Sequence, residues 1–242
     1  KKEEEEERRR EEALLLIKQQ QKEEQQKKEQ LKQSKDSLAV RRKLILQEAE
    51  ELKARGTEAF KCKDLDLAIS LWNQAAQFLR AESLIPDPNE VSDCAMSSKS
   101  KSPETIAAEE EGRKLFVASK LNASMAYIEK MTKAGSGELK DEGAQKREAA
   151  AAAAAESAAE ALEFDPNNVK GMHRRGLALR VLGWYDEALS LFEKVRDILG
   201  GGSTELDGLI EEMTKAAALQ ASSSDDNERK KEEEEEEEEE EE

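Results

Sequence analysis

Aromatic side chains are scarce in this chain of 242 residues, at 4%, and the sequence holds only 4 prolines, 2 cysteines and 1 histidine. With so few large apolar groups and 39% charged residues, it has room for one modest core and for stretches that bury nothing. No apolar run approaches the roughly 20 residues that a membrane span needs. Cys62 and Cys94 lie too far apart for a metal knuckle or a CxxC pair, so no disulfide framework is expected, and free thiols suit a reducing, cytoplasmic setting. His173 has no second His or Cys at ligand spacing, which favours packing or solvent contact over metal, and nothing else calls for a cofactor. A formal net charge of -17, with no basic stripe interleaved with aromatics, makes nucleic acid an unexpected partner.

Helix formers and charge fill the space. There is no Gly or Pro before Gly56, so residues 1–48 are expected to form one long charged helix. Within it and just beyond, Leu31, Leu38, Ile45 and Leu52 recur every seven residues while the complementary positions are mostly polar. That is half of a heptad seam: either a helix resting one edge on its neighbour, or a coiled-coil surface with a helical partner at Leu31, Leu38 and Ile45. At the other end, Glu228 to Glu242 holds twelve glutamates against three cations, and so -9 of the net charge. Residues 222–242 are expected to be a disordered acidic tail, or at most a frayed, charge-repelled helix. Beginning at Lys1 rather than Met, the sequence reads as a piece of a longer intracellular protein.

Between these ends the pattern is one of paired amphipathic helices. In AEELKARGTEAFKCKDLDLAISLWNQAAQFL, Gly56 marks a close helix approach, Lys63-Asp64 a turn, and Ala68, Trp72 and Ala75 a packing face. VKGMHRRGLALRVLGWYDEALSLFEKV repeats the same offsets: aligning Gly56 with Gly176 places Ala68 on Ala188 and Trp72 on Phe192. A third, interrupted copy lies between them. It has Ser124 at the small position, Tyr127 at the aromatic one and Ala158 where a large aromatic is expected, and its second helix stops at Pro166. Insertions fall near 80–112, read as a linker whose flanks lengthen the adjoining helices, and near 131–148, read as a loop or a loop plus a helical extension. After the third copy, Leu206, Leu209, Ile210, Met213 and Ala217 share one face of a helix expected over 203–221, able to cap the exposed end of a repeat stack.

These repeats, spanning 49–199, resemble the tetratricopeptide repeat (TPR) family, whose unit is a helix, a turn and a helix of about 34 residues. The resemblance implies an all-α solenoid of three helical hairpins plus a capping helix, preceded by the long charged helix. In such a stack the first helix of each pair lines a concave face, so residues four apart on those helices project together into one groove. Lys53 and Thr57 have that spacing in the first copy and Lys170 and Arg174 in the third, with Asn122 on the matching helix of the second.

That set is similar to the carboxylate clamp of TPR co-chaperones, which holds the C-terminal Glu-Glu-Val-Asp of heat shock proteins 90 and 70. Lys53, Asn122, Lys170 and Arg174 match it, while Thr57 stands where most clamps carry Asn. The large FKBP-type immunophilins share the ARGT-like segment, LNASMAY and NNVKGMHRRGLA. Lys and Arg supply point-charge and forked donors for a terminal carboxylate and an Asp side chain, and Asn can bond the peptide backbone. The expected function is therefore a peptide-binding adaptor; the alternative is a structural scaffold that assembles a larger complex through the long helix and the repeats. No group is organised for acid-base or nucleophilic chemistry. The chain is not expected to be an enzyme, and a peptidyl-prolyl isomerase domain, if part of the protein, would precede Lys1.

Overall fold

The computed structural model describes residues 25, 26, 29, 38–82, 84, 85, 102–134, 140–201 and 203–240, with 140, 141 and 223–240 described by their backbone alone. Among the described residues there are seven helices and no strand. Helix α1 covers 38–61. It is followed by α2 (Leu65–Ala81), α3 (Pro103–Ala134), α4 (Lys140–Phe164), α5 (Val169–Val181), α6 (Tyr185–Leu199) and α7 (Thr204–Glu240).

Local chemistry marks the ends. Asp64 caps α2 by accepting from the Leu67 amide at 3.1 Å, Asn168 caps α5 from Gly171 at 3.0 Å, and Ser203 accepts from Leu206 at 3.3 Å at the start of α7. Gly200, at φ 70°, closes α6 in the left-handed conformation that glycine adopts without strain. The α5–α6 turn likewise has Gly183 at φ 79°, but the equivalent α1–α2 turn carries Lys63 at φ 64°.

From α2 onward each helix packs on the next and α3 also touches α5, while Ile45 of α1 packs with Leu79 of α2 and Phe116 of α3; this sets α1, α3 and α5 along one side and α2, α4 and α6 along the other. A Cβ on Gly56 would lie 2.7 Å from the Trp72 indole nitrogen, and one on Gly176 would lie 2.7 Å from the Phe192 ring. The first and third hairpins thus use the same contact, a glycine against a ring sixteen residues on. The middle hairpin closes differently. Ala151, Ala154, Ala158 and Ala161 of α4 are fully buried, and the buried Ser124 hydroxyl of α3 donates to the Ala154 carbonyl at 3.0 Å. Small side chains on both helices replace a ring in a glycine notch, so Ala158 needs no aromatic substitute. Leu206 and Met213 of α7 close the far end of the core against α5 and α6.

Helix reaches into both insertions. In 80–112, α3 begins at Pro103, which suits the first turn of a helix, with the Ser102 hydroxyl accepting from the Thr105 amide at 3.3 Å. In 131–148, α3 runs to Ala134 and α4 starts at Lys140, a helical extension into the alanine run. Two expectations require correction. The backbone over 222–240 is helical rather than disordered: no Gly or Pro follows Gly208, and the propensity of the Glu, Lys and Arg that fill 228–240 outweighs like-charge repulsion worth only tenths of a kcal/mol per pair. Finally, Ile45 is not available to a partner helix. It is 6% exposed and packs with Ala76, Leu79 and Phe116 in the chain's own core, while Leu52 packs near Trp72. A seven-residue apolar period serves an intramolecular face as well as a coiled coil. Leu38 is half-exposed, and Leu31 and most of 1–37 lie outside the described residues.

Candidate functional site

Lys53 sits in the middle of α1 with its side chain 25% exposed and its ammonium 2.8 Å from Glu50. Its backbone carbonyl receives two donors besides the helix: the Trp72 indole N–H at 3.1 Å and the Thr57 hydroxyl at 3.0 Å. The Trp72 bond ties the position of Lys53 to the Gly56 contact. The Thr57 bond uses the only proton that its hydroxyl can donate, so at this position the surface presents an acceptor and a methyl group.

On α3, Asn122 is half-buried and its amide has no partner among the described residues. One residue before it, the Leu121 carbonyl accepts a hydrogen bond at 2.5 Å from the Arg174 guanidinium of α5. Burial pulls Arg174 below its ordinary value, yet an arginine keeps its charge, and one bond leaves four of its five N–H donors unused. Arg174 is half-buried and braces α5 on α3. Lys170, one turn earlier, is exposed and makes no ion pair among the described residues. Beside it, a Cβ on Gly171 would come within 3.0 Å of Leu162 and 3.3 Å of Leu121, so glycine here lets α5 approach both neighbours.

Two open cavities flank α3. One, of about 600 Å³, lies between α1 and α3 and is lined by Lys43, Glu50, Lys53 and Glu111 among others. The other, of about 650 Å³, lies between α3 and the start of α5 and is lined by Arg113, Val117, Leu121, Phe164 and Lys170 among others. Lys114 and Ala118 line both. Thus Lys53 and Lys170 line two cavities that share Lys114 and Ala118 of α3, whereas Thr57, Asn122 and Arg174 line neither, and Arg174 joins α5 to α3 next to Asn122.

No protein-family model matches the chain, and no curated protein does. A solved structure does match: the C-terminal TPR-containing domain of a Plasmodium falciparum FK506-binding protein. It aligns over 75% of this chain and 95% of its own length, at 16% identity and a TM-score of 0.52. The fold is a TPR solenoid. A second match, to the TPR2AB domain of yeast Sti1 in a complex with pHSP90, covers 69% of this chain and 98% of that one at 17% identity, with a TM-score of only 0.24.

Within the TPR frame, α1–α2, α3–α4 and α5–α6 are the three repeats, and all five candidate residues lie on their first helices. His173 points elsewhere. Its ring meets Phe192 edge-on at 5.8 Å between centroids, and burial, then the nearby Arg174 charge, lower its pKa against the opposing pull of Glu205. Among the described residues no cluster of His, Cys, Asp or Glu could hold a metal, and no helix is long and apolar enough to cross a membrane. Repeat matching missed Lys43, Arg113 and Lys114, which line the cavities. They lie on the upstream halves of α1 and α3, outside the 34-residue unit, and only the cationic pair inside EEEGRKLF could have drawn attention to the second helix.

Proposed function

We propose that this TPR solenoid is a cytoplasmic peptide-binding adaptor whose concave face, formed by α1, α3 and α5, takes an extended acidic peptide by its C-terminal carboxylate. The observation that carries the proposal is the convergence on α3: the unpartnered Asn122 amide beside an Arg174 with spare donors, and Lys53 and Lys170 on cavities that meet at Lys114 and Ala118. Such cations stabilise a carboxylate through charge-assisted bonds worth about 1.5–3 kcal/mol each. Together with the sequence resemblance to TPR co-chaperones, this makes the C-terminal Glu-Glu-Val-Asp of heat shock protein 90 or 70 the ligand class. Thr57 is a spectator, because its proton is committed to the Lys53 carbonyl.

Calorimetry with a peptide ending in Glu-Glu-Val-Asp tests the reading. Lys53→Ala, Asn122→Ala and Lys170→Ala should each weaken binding by about tenfold or more. Unchanged affinity in all three would place the ligand elsewhere. A scaffold role is favoured by a different observation: Leu38, Val40 and Leu44 at the start of α1 are 48%, 59% and 59% exposed. Light scattering of the full chain and of a Val40→Glu/Leu44→Glu variant addresses that reading; assembly abolished by the charges supports it, and a monomer in both cases removes self-association.

A further inference from the structure

Exposed apolar side chains collect where the chain enters α1. Leu38, Val40 and Leu44 in the first two turns of α1 and Ile106 in the first turn of α3 are all exposed. The Arg42 guanidinium donates to the Thr105 hydroxyl at 2.6 Å, which sets these two helix starts side by side. Four of the ten large apolar residues exposed among the described ones therefore lie at this one end of the stack. The other end is finished differently, since Leu206 and Met213 of α7 cover it. A repeat stack needs a cover at both ends, because each terminal repeat presents a face built to meet a neighbour.

We propose that this end is covered by the chain's own residues Ala13 to Ile17, folded back onto Val40 and Leu44, so that the run does for the first repeat what α7 does for the last. The sequence upstream of α1 singles the run out. Of residues 1–37 only Ala13, Leu14, Leu15, Leu16, Ile17 and Leu31 are apolar, and every other one is charged, Gln or Ser. Successive helical residues point about 100° apart, so four large aliphatic ones in a row ring a helix and cannot all be carried on water without a partner. Length permits the return: residues 18–37 span about 30 Å even as helix, against about 9 Å from Leu38 to Leu44. Ser34, Asp36 and Ser37, just before α1, are residue types of turns and N-caps, where a chain can reverse. Tethering favours this occupant over a separate chain, because a flexible connector holds the run at an effective concentration of about millimolar. The inference does not depend on the groove reading.

The experiment follows the thiol of Leu44→Cys in the full chain, with Cys62→Ser and Cys94→Ser removing the native cysteines, and measures its rate of reaction with a maleimide. Adding Leu15→Glu/Ile17→Glu should speed the reaction about tenfold or more, the scale of uncovering one buried aliphatic side chain. The rate should not depend on protein concentration, and light scattering should give a monomer before the charges are added. If the charges lower the helix signal, Leu15→Ala/Ile17→Ala is read in their place, with a gain of about threefold expected from the smaller loss of apolar surface. Rates equal within twofold with and without the substitutions overturn the proposal. Protection that grows with protein concentration, or a dimer in light scattering, assigns the cover to a second copy and overturns it as well.

Discussion

Removing the Arg174 side chain should cost stability as well as affinity, and the structure sets the scale. The guanidinium of α5 donates to the Leu121 carbonyl of α3, joining the two neighbouring first helices of the second and third repeats. A hydrogen bond from a charged donor is worth about 1.5–3 kcal/mol, but the half-buried cation has already lost part of its hydration, the cause of its lowered pKa, and Ala recovers that cost. Leu121 lies inside α3, where its carbonyl can also serve the helix ladder, so Arg174→Ala strands no buried acceptor. The net loss should be about 1 kcal/mol, or about 2–4 °C in Tm for a chain of this size. Lys170→Ala, at an exposed position, should stay within about 0.5 kcal/mol of the parent. Urea and thermal unfolding followed by helix signal measure both variants. An Arg174→Ala protein as stable as Lys170→Ala would show that the brace contributes nothing.

Other outcomes follow from single contacts. Because the Thr57 proton goes to the Lys53 carbonyl, Thr57→Val should leave peptide affinity unchanged, whereas Thr57→Asn should tighten it by about 0.5–1.5 kcal/mol in calorimetry; the reverse order would contradict the assignment. Lys63→Gly should raise the urea midpoint by the equivalent of up to about 1 kcal/mol. It relieves a left-handed non-glycine residue, which costs about 1–2 kcal/mol, at the loss of an exposed ion pair with Glu129 worth less. His173 is held neutral in the fold, so the unfolded chain binds its proton more readily. The stability from this group is therefore present above its ordinary value of 6.5 and lost as pH falls below it. His173→Gln should flatten the fall in stability as pH drops below about 6.5, and an unaltered slope would assign that fall to other groups.

What could be read from residues alone was what the repeat period carries. Gly56 with Trp72 and Gly176 with Phe192 sit at one offset because one packing contact is used twice, and the five candidate residues could be picked out because they occupy fixed places within the unit. The middle repeat was legible only as a departure. Nothing in a run of alanines announces that α4 closes onto α3 through Ser124 and Ala154, since alanine suits any helix face. The face of α1 was illegible for a related reason: Ile45 and Leu52 fit a heptad and a solenoid core alike, and only the partners across the interface, Leu79 and Phe116 for Ile45, decide between them. Composition misled at the acidic end, where charge density suggested disorder although the Glu, Lys and Arg of 228–240 favour helix. The bond from Arg174 to Leu121, between residues 53 apart, has no local signature at all.

The central claim is that the concave face reads a terminal carboxylate, and titrating the full chain with one Glu-Glu-Val-Asp peptide as free acid and as C-terminal amide tests it most directly. The two ligands share every side chain and differ only at the group that the proposed clamp would hold. Binding of the acid at least about tenfold tighter than the amide is the predicted result, matching the loss of one charge-assisted bond. Equal affinity for the two would contradict the account.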